Sequence, residues 1–130
     1  MIKSEFGMVF GGFTSVSWRS PSKPKIVNDN RAFVFSLTYR EKFPIKHFNG
    51  PAVVHCKDFM AVFGRDSLRD IFLQRNDGRK ANNNTHDFGA NFKIPKSMVI
   101  GSKETGEYLS GTDLMFKIEE IEVYKVIFKL

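Results

Sequence analysis

The stretch Phe6-Gly-Met-Val-Phe-Gly-Gly-Phe-Thr-Ser-Val-Ser-Trp18 says most about how this chain folds. It holds three glycines, three phenylalanines and the only tryptophan of the chain within 13 residues. Gly11 and Gly12 allow the backbone to take positive φ or to approach another strand closely. After them, larger side chains alternate with serine up to Trp18, which is the period of a half-buried strand. The stretch therefore predicts a strand of a tightly curved sheet, with glycines at its start and an aromatic residue at its end.

The length and the cysteine content limit the class of protein. A chain of 130 residues predicts one domain over residues 1–130, and its 14 phenylalanines indicate a core rich in aromatic rings. Cys56 is the only cysteine, so no disulfide within the chain can form and a reducing compartment is expected. The first residues lack the pattern of a signal peptide, and no run approaches the roughly 18 apolar residues of a membrane span. We therefore expect a cytoplasmic domain.

The formal charge of +6 favours anionic partners, among them nucleic acid, acidic lipid and acidic protein surfaces. The basic residues are spread along the chain, however, and the one local cluster joins Arg75 to Arg79 and Lys80 in an asparagine-rich loop. Such scatter is typical of an ordinary solvated surface, so a nucleic-acid-binding domain is the less favoured interpretation.

Short extended segments with turns between them indicate an all-β domain. Alternation and β-branched or aromatic content predict strands at 31–38, 52–56 and 70–74. The longest candidate strand covers 114–130, where a bulge near Glu119 and Glu120 would reconcile apolar pairs of opposite parity. Residues 59–63 fit either one helical turn or a buried strand. The pattern as a whole favours a β-sandwich.

Six sequence blocks, taken in order along the chain, resemble those of the TLDc domain family. They are Val9-Phe-Gly-Gly-Phe-Thr-Ser-Val-Ser-Trp18, Ala32-Phe-Val-Phe-Ser-Leu37, Ala61-Val-Phe-Gly64 with Asp70-Ile71, Phe88-Gly-Ala-Asn-Phe92, Tyr108-Leu-Ser-Gly111 and Glu120-Ile-Glu-Val-Tyr124. Each block alone is weak, but their order across nearly the whole chain makes the match strong. The resemblance implies a mainly β fold, a two-sheet antiparallel β-sandwich with short flanking helices.

The same resemblance implies a function. The family is linked to protection against oxidative stress and to physical interaction with the vacuolar-type proton-pumping ATPase, and no enzymatic activity is securely attached to it as a class. The resemblance thus implies a non-enzymatic protein-interaction module without a cofactor, which works in the cytoplasm at the periphery of an acidified organelle.

One feature departs from the family pattern. Members usually open with a helical segment and a further strand before the block that begins here at Ile2 and Lys3. We expect an N-terminal truncation in preference to a genuinely minimal domain. An uncovered strand edge and an uncovered patch of core are its expected consequences.

Basic residues in two predicted loops are the candidates for contact with a protein partner. The first loop carries Arg65 and Arg69, and the second, polar loop carries Arg75, Arg79 and Lys80. Exposed loops on a rigid scaffold are the usual carriers of binding function. The larger apolar side chains are assigned to structure instead: Phe10, Phe13, Trp18, Phe33, Phe35, Ile121 and Val123.

A redox-active or hydrolytic enzyme is the alternative function, and it has two candidate sites. Cys56 could act as a redox-sensing thiol if it were exposed and had a lowered pKa, although the valines before it indicate burial. Glu120 and Glu122 would share one strand face, where paired acids could perform acid–base chemistry or hold a cation. If Ile121 faces inward, both acids face water instead. The histidines and the cysteine lack the spacing of a metal site.

Overall fold

Two antiparallel sheets make up most of the structure, a computed structural model that describes residues 1–75 and 82–129. In these ranges the strands are β1 (Ile2–Ser4), β2 (Val9–Phe13), β3 (Lys25–Asn28), β4 (Phe33–Ser36), β5 (Glu41–Pro44), β6 (Pro51–His55), β7 (Phe59–Gly64), β8 (Arg69–Gln74) and β9 (Ile118–Ile121), and the helix α1 (Lys103–Ser110) lies before β9. This helix has eight residues, and no helix in the described ranges is long and apolar enough to cross a bilayer.

The order of the strands confirms the predicted two-sheet sandwich. The five-stranded sheet has the order β5-β4-β2-β1-β9, and the four-stranded sheet has the order β3-β6-β7-β8. Neighbouring strands are antiparallel in both sheets. Strand β9 therefore forms one edge of the larger sheet and pairs with the N-terminal strand.

Aromatic rings fill much of the space between the sheets. Buried Phe10 of β2 meets Phe116 edge-to-face, with the ring centroids 5.7 Å apart. Phe43 of β5 packs in the same way on Phe88, at 4.9 Å. Burial of one such side chain stabilises a fold by about 1.5–3 kcal/mol, so these rings are a major source of the domain's stability.

Strand β2 ends earlier than the sequence predicts. It stops at Phe13, and the prediction of a strand that runs to Trp18 is wrong. The carboxylate of Asp29 explains the difference, because it accepts hydrogen bonds from the hydroxyl of Thr14 at 2.7 Å and the backbone N–H of Ser15 at 2.6 Å. These bonds hold the chain away from the strand ladder. Trp18 therefore lies in an irregular segment and is 41% exposed.

Three other predicted strands are confirmed, with slightly different ends. Segments 31–38, 52–56 and 70–74 contain or overlap β4, β6 and β8. Segment 59–63, which fitted either a helical turn or a strand, forms β7. Strand β1, the edge strands β3 and β5 and the position of helix α1 are not predicted by the sequence analysis.

The predicted bulge in the C-terminal strand is confirmed. Lys3 of β1 pairs with Glu120 of β9. The next residue, Ser4, pairs with Ile118, which leaves Glu119 as the extra residue on β9. A bulge of this kind reverses which residues face the core, as the sequence pattern requires.

The C-terminal strand itself is much shorter than predicted. The candidate strand covered 114–130, but in the described residues only β9 within it joins a sheet. Phe116 forms an isolated bridge to Asn83. The structural role predicted for Val123 is also wrong, since its side chain is 86% exposed. The segment 122–129 has no regular secondary structure.

Candidate functional site

The predicted partner-contact residues do not form one surface. Arg65 and Arg69 flank the turn between β7 and β8, whereas Arg75 follows the opposite end of β8. A strand rises about 3.3 Å per residue, so the backbones of Arg69 and Arg75 lie about 20 Å apart. Arg79 and Lys80, the other two candidates, lie outside the described residues.

The side chain of Arg69 is used inside the fold. Its guanidinium carbon lies 4.3 Å from the ring centroid of Phe72 and 5.1 Å from that of Phe59. Its Nε donates a hydrogen bond to the carbonyl of Asp66 at 2.8 Å. Arg69 therefore covers the small apolar cluster of the four-stranded sheet, and its charge is only partly available to a partner.

The side chains of Arg65 and Arg75 are exposed but differ in their contacts. Arg75 donates from Nη1 to the carbonyl of Lys57 at 2.9 Å, which holds its guanidinium against the turn between β6 and β7. The guanidinium of Arg65 makes no hydrogen bond to another residue in the described ranges. Among the three predicted contact residues that the structure describes, Arg65 therefore has the most freely available charge.

Cys56 directly follows β6 and is buried, with 6% of its surface exposed. Its Sγ lies 4.0 Å from Oδ2 of Asp58. A thiol that senses oxidants needs access to solvent and a lowered pKa, and this position limits access. The redox hypothesis for Cys56 stays a prediction.

The paired acids of the C-terminal segment lie at the surface. Glu120 is opposite Lys3 in the β1–β9 pairing, and the carboxylate of Glu122 accepts a hydrogen bond from the hydroxyl of Tyr124. Within residues 1–75 and 82–129, no group of three or more His, Cys, Asp or Glu side chains is placed to hold a metal ion. The hydrolytic hypothesis and the nucleic-acid hypothesis gain no specific contact and stay predictions.

A large apolar groove is the feature that the sequence analysis missed. It has a volume of about 500 Å³ and opens between β2, the irregular segment after it and the C-terminal segment. We call it the aromatic groove; its rings are Phe13, Trp18, Phe33, Phe35, Phe63, Tyr124 and Phe128. The sequence analysis assigned most of these side chains to the structure of the domain. It did not predict that they line one open surface.

The walls of the aromatic groove are held by ring-to-ring contacts. Phe13 stacks on Phe33 with the centroids 5.1 Å apart, and Phe128 meets Phe13 edge-on at 6.1 Å. At the other end, Trp18 meets Phe63 edge-on at 5.7 Å. The groove is thus built by strands of both sheets together with two irregular segments.

The Trp18 end of the groove is basic. The ring of His55 lies 5.3 Å from that of Trp18, is 2% exposed, and its Nε2 has no hydrogen-bond partner in the described part of the chain. Lys25 lies opposite His55 in the β3–β6 pairing, and Arg19 follows Trp18 in the chain. Residues opposite each other in antiparallel strands have side chains on the same face.

These surroundings lower the pKa of His55 from its ordinary value. Burial is the main cause, because it disfavours the charged imidazolium. The positive charges of Arg19 and Lys25 lower the pKa further. His55 is therefore neutral at neutral pH, and the formal positive charge at this end of the groove comes from the lysine and the arginine.

Hydrogen bonds to Asp29 hold the wall segment in place. Burial by itself would raise the pKa of Asp29, but the hydroxyls of Thr14 and Ser15 donate to the carboxylate. The backbone N–H groups of Ser15 and Arg31 donate as well, and the net effect is a pKa below the usual value. Asp29 therefore stays ionised and anchors the segment that carries Trp18.

The fold and these surfaces define an antiparallel β-sandwich domain with an open aromatic groove and exposed basic turns. The family model of the TLDc domain matches residues 1–127, which is nearly the whole chain. The chain belongs to the TLDc domain family, and this membership supports a protein-interaction role. No curated protein and no solved structure matches the chain significantly.

Proposed function

We propose that this chain is a non-enzymatic protein-interaction module that supports resistance to oxidative stress by regulating the vacuolar-type proton-pumping ATPase. The observation that carries the proposal is the TLDc match over residues 1–127, since both links are implied by that family. The module would act in the cytoplasm, on the periphery of an acidified organelle. It would need no cofactor, because its effect comes from contact with the pump.

The sandwich supports such a role as a rigid scaffold that presents charged turns. Arg65 stands in the β7–β8 turn with an exposed guanidinium, and Arg75 stands at the other end of β8. With a formal charge of +6, the chain would be attracted to an acidic surface of a partner. Charges at the rim of an interface mainly raise the rate of association, and added salt screens them.

Proton pumping in isolated organelle vesicles tests the proposal. Purified chain is added to vesicles that carry the ATPase, and ATP-driven acidification and co-sedimentation of the chain are measured together. We expect saturable binding and a change in the acidification rate at the same chain concentration. Arg65→Glu should weaken both severalfold, whereas Lys117→Glu, an equal change of charge at another exposed site, should leave them nearly unchanged.

Two results would contradict the proposal. If the chain neither co-sediments with the vesicles nor changes acidification, the link to the pump is wrong. If cells that express the chain survive peroxide no better than cells without it, the link to oxidative stress is wrong even where the pump is bound.

A further inference from the structure

We propose that the aromatic groove is the docking site for a peptide segment of a protein partner, one that carries apolar side chains flanked by carboxylates. This inference rests on the proposed function, because it names the surface of the module and the chemistry of its partner. It moves the main contact from the basic turns, which the sequence singled out, to the groove.

The apolar part of the occupant follows from the size and lining of the groove. Its volume of about 500 Å³ lies within the roughly 300–1,000 Å³ of typical ligand pockets. Trp18 and Phe128 are exposed aromatic side chains on its rim. Aromatic residues in such recesses carry much of the free energy of protein association. An apolar side chain from a partner would fill space between rings that already stand in fixed positions.

The charge of the rim selects an acidic partner. The guanidinium carbon of Arg31 lies 5.5 Å from the ring centroid of Phe128, and Lys125 also lines the groove. Arg19 and Lys25 stand at the Trp18 end. In the described part of the chain none of these four side chains forms an ion pair, so their charges are open to a partner's carboxylates.

The acidic groups beside the groove are already engaged. The carboxylate of Asp29 accepts from Thr14 and Ser15, and that of Glu122 accepts from the hydroxyl of Tyr124. A hydroxyl donor does not remove the charge of a carboxylate, so the four cationic side chains of the rim face two carboxylates and the rim keeps a net positive formal charge.

The same features argue against other occupants. A second copy of the chain would bring two basic rims together, and each copy has a formal charge of +6. Nucleic-acid bases need free ring faces for stacking, yet Phe33 is covered by Phe13 on one side, at 5.1 Å, and approached by Lys42 Nζ at 4.3 Å. A flat bilayer surface would meet the exposed rings of the rim but not buried Phe63.

A matched pair of peptides tests the inference. Both carry the same leucine- and phenylalanine-containing centre and no tryptophan; one has glutamate flanks and the other has lysine flanks. Trp18 is the only tryptophan of the chain and lines the groove, so its fluorescence reports binding directly. We expect a saturable shift with the glutamate peptide. We expect at least tenfold weaker binding of the lysine peptide, and a smaller difference between the two at high salt.

Variants of the groove and its rim locate the binding site. Ala61→Leu places a larger side chain in the groove and should weaken the glutamate peptide about tenfold or more. Lys125→Glu changes an exposed rim residue, keeps the fold intact, and should weaken it severalfold. Lys96→Glu, an exposed control that does not line the groove, should leave binding unchanged.

Four outcomes would overturn the inference: equal binding of the two peptides, equal effects of Lys125→Glu and Lys96→Glu, displacement of the peptide by a single-stranded oligonucleotide, or sedimentation of the chain as a dimer that Ala61→Leu disrupts.

The proposed function is tested separately from the docking site. Pump binding that both groove variants leave unchanged would overturn the docking site alone. Peptide binding without any effect on proton pumping would overturn the link to the pump alone.

Discussion

A Cβ atom on Gly12 would lie 2.5 Å from Cζ of Phe63 in the opposite sheet, closer than real Cβ atoms approach another side chain. Gly12 is therefore the point where β2 lets an aromatic ring of β7 come close to its backbone. Glycine is required at this position because of the limited space and not because of the backbone angle, since Gly12 does not have a positive φ. This contact brings Phe63 to the base of the aromatic groove.

Gly12→Ala should destabilise the fold by about 1–3 kcal/mol, because the added methyl group forces the ring of Phe63 out of its position. The free energy of unfolding is measured by urea denaturation. Phe63→Leu serves as the control, since the smaller side chain leaves room for the methyl group. The double variant should then be more stable than the sum of the two single costs predicts. Strictly additive costs would show that the two residues do not compete for space.

The glycine pair in the sequence allowed either a positive φ or a close approach, and at Gly12 the structure shows the close approach. The sequence did not predict where the strand ends. Two adjacent glycines in a strand allow another part of the protein to pack closely against β2, and this can be predicted from the local sequence. The end of β2 at Phe13 depends on Asp29, whose carboxylate binds Thr14 and Ser15 from 14 or more residues away. Period-two alternation cannot reveal a side-chain acceptor that comes from another part of the chain.

The aromatic groove could not be predicted either, because it is also formed by residues from distant parts of the chain. Its rings come from β2, β4, β7 and two irregular segments, and the hydrophobic pattern alone assigns such rings to the core. Helix α1, by contrast, has capping residues at both ends that are visible in the sequence. Ser102 accepts a hydrogen bond from the N–H of Thr105 at the helix start, and Gly111 ends it with φ of 88°. The glycine at position 106 obscured the helix, since glycine lowers helix propensity.

Asp70 should make stability depend on pH in a defined window. Its buried carboxylate accepts from the N–H of Gly89 at 2.8 Å and from the N–H of Asn91 at 3.0 Å. Burial raises its pKa to about 6, against the opposing effect of these hydrogen bonds. Between the ordinary value of 3.8 and about 6, the folded state keeps a proton that the unfolded state has lost. The contribution of Asp70 to the free energy of unfolding therefore falls as pH rises through this window and is constant above it.

Asp70→Asn tests this pH dependence. The variant should be about 1–3 kcal/mol less stable at pH 7, because one acceptor oxygen is lost and buried N–H groups lose a partner. The difference in stability between wild type and variant should be larger at pH 4 than at pH 7. Using the difference removes the titration of His55, whose lowered pKa makes stability fall as pH drops. A difference that does not change with pH would mean that Asp70 keeps an ordinary pKa.

Arg69 should contribute to the stability of the fold, and Arg65 should not. Arg69→Ala removes a guanidinium that packs on Phe72 and Phe59 and should cost about 1–2 kcal/mol of stability. Arg65→Ala, at the other side of the same turn, should change stability by less than about 0.5 kcal/mol. Thermal unfolding of both variants measures this contrast. If Arg69→Ala unfolds at the wild-type temperature, its ring contacts contribute nothing, and Arg69 returns to the set of contact residues.

Cys56 should react slowly with thiol reagents in the folded chain. With 6% of its surface exposed, its thiol reaches an aromatic disulfide reagent mainly when the end of β6 opens locally. The labelling rate at neutral pH should therefore be at least about tenfold lower than in the urea-unfolded chain, since reaction requires an accessible thiolate. Adding urea below the unfolding midpoint should raise the rate progressively. Labelling as fast in the native chain as in the unfolded one would mean that the thiol is accessible. In that case, loss of peroxide protection in a folded Cys56→Ser variant would favour the redox hypothesis over the binding module.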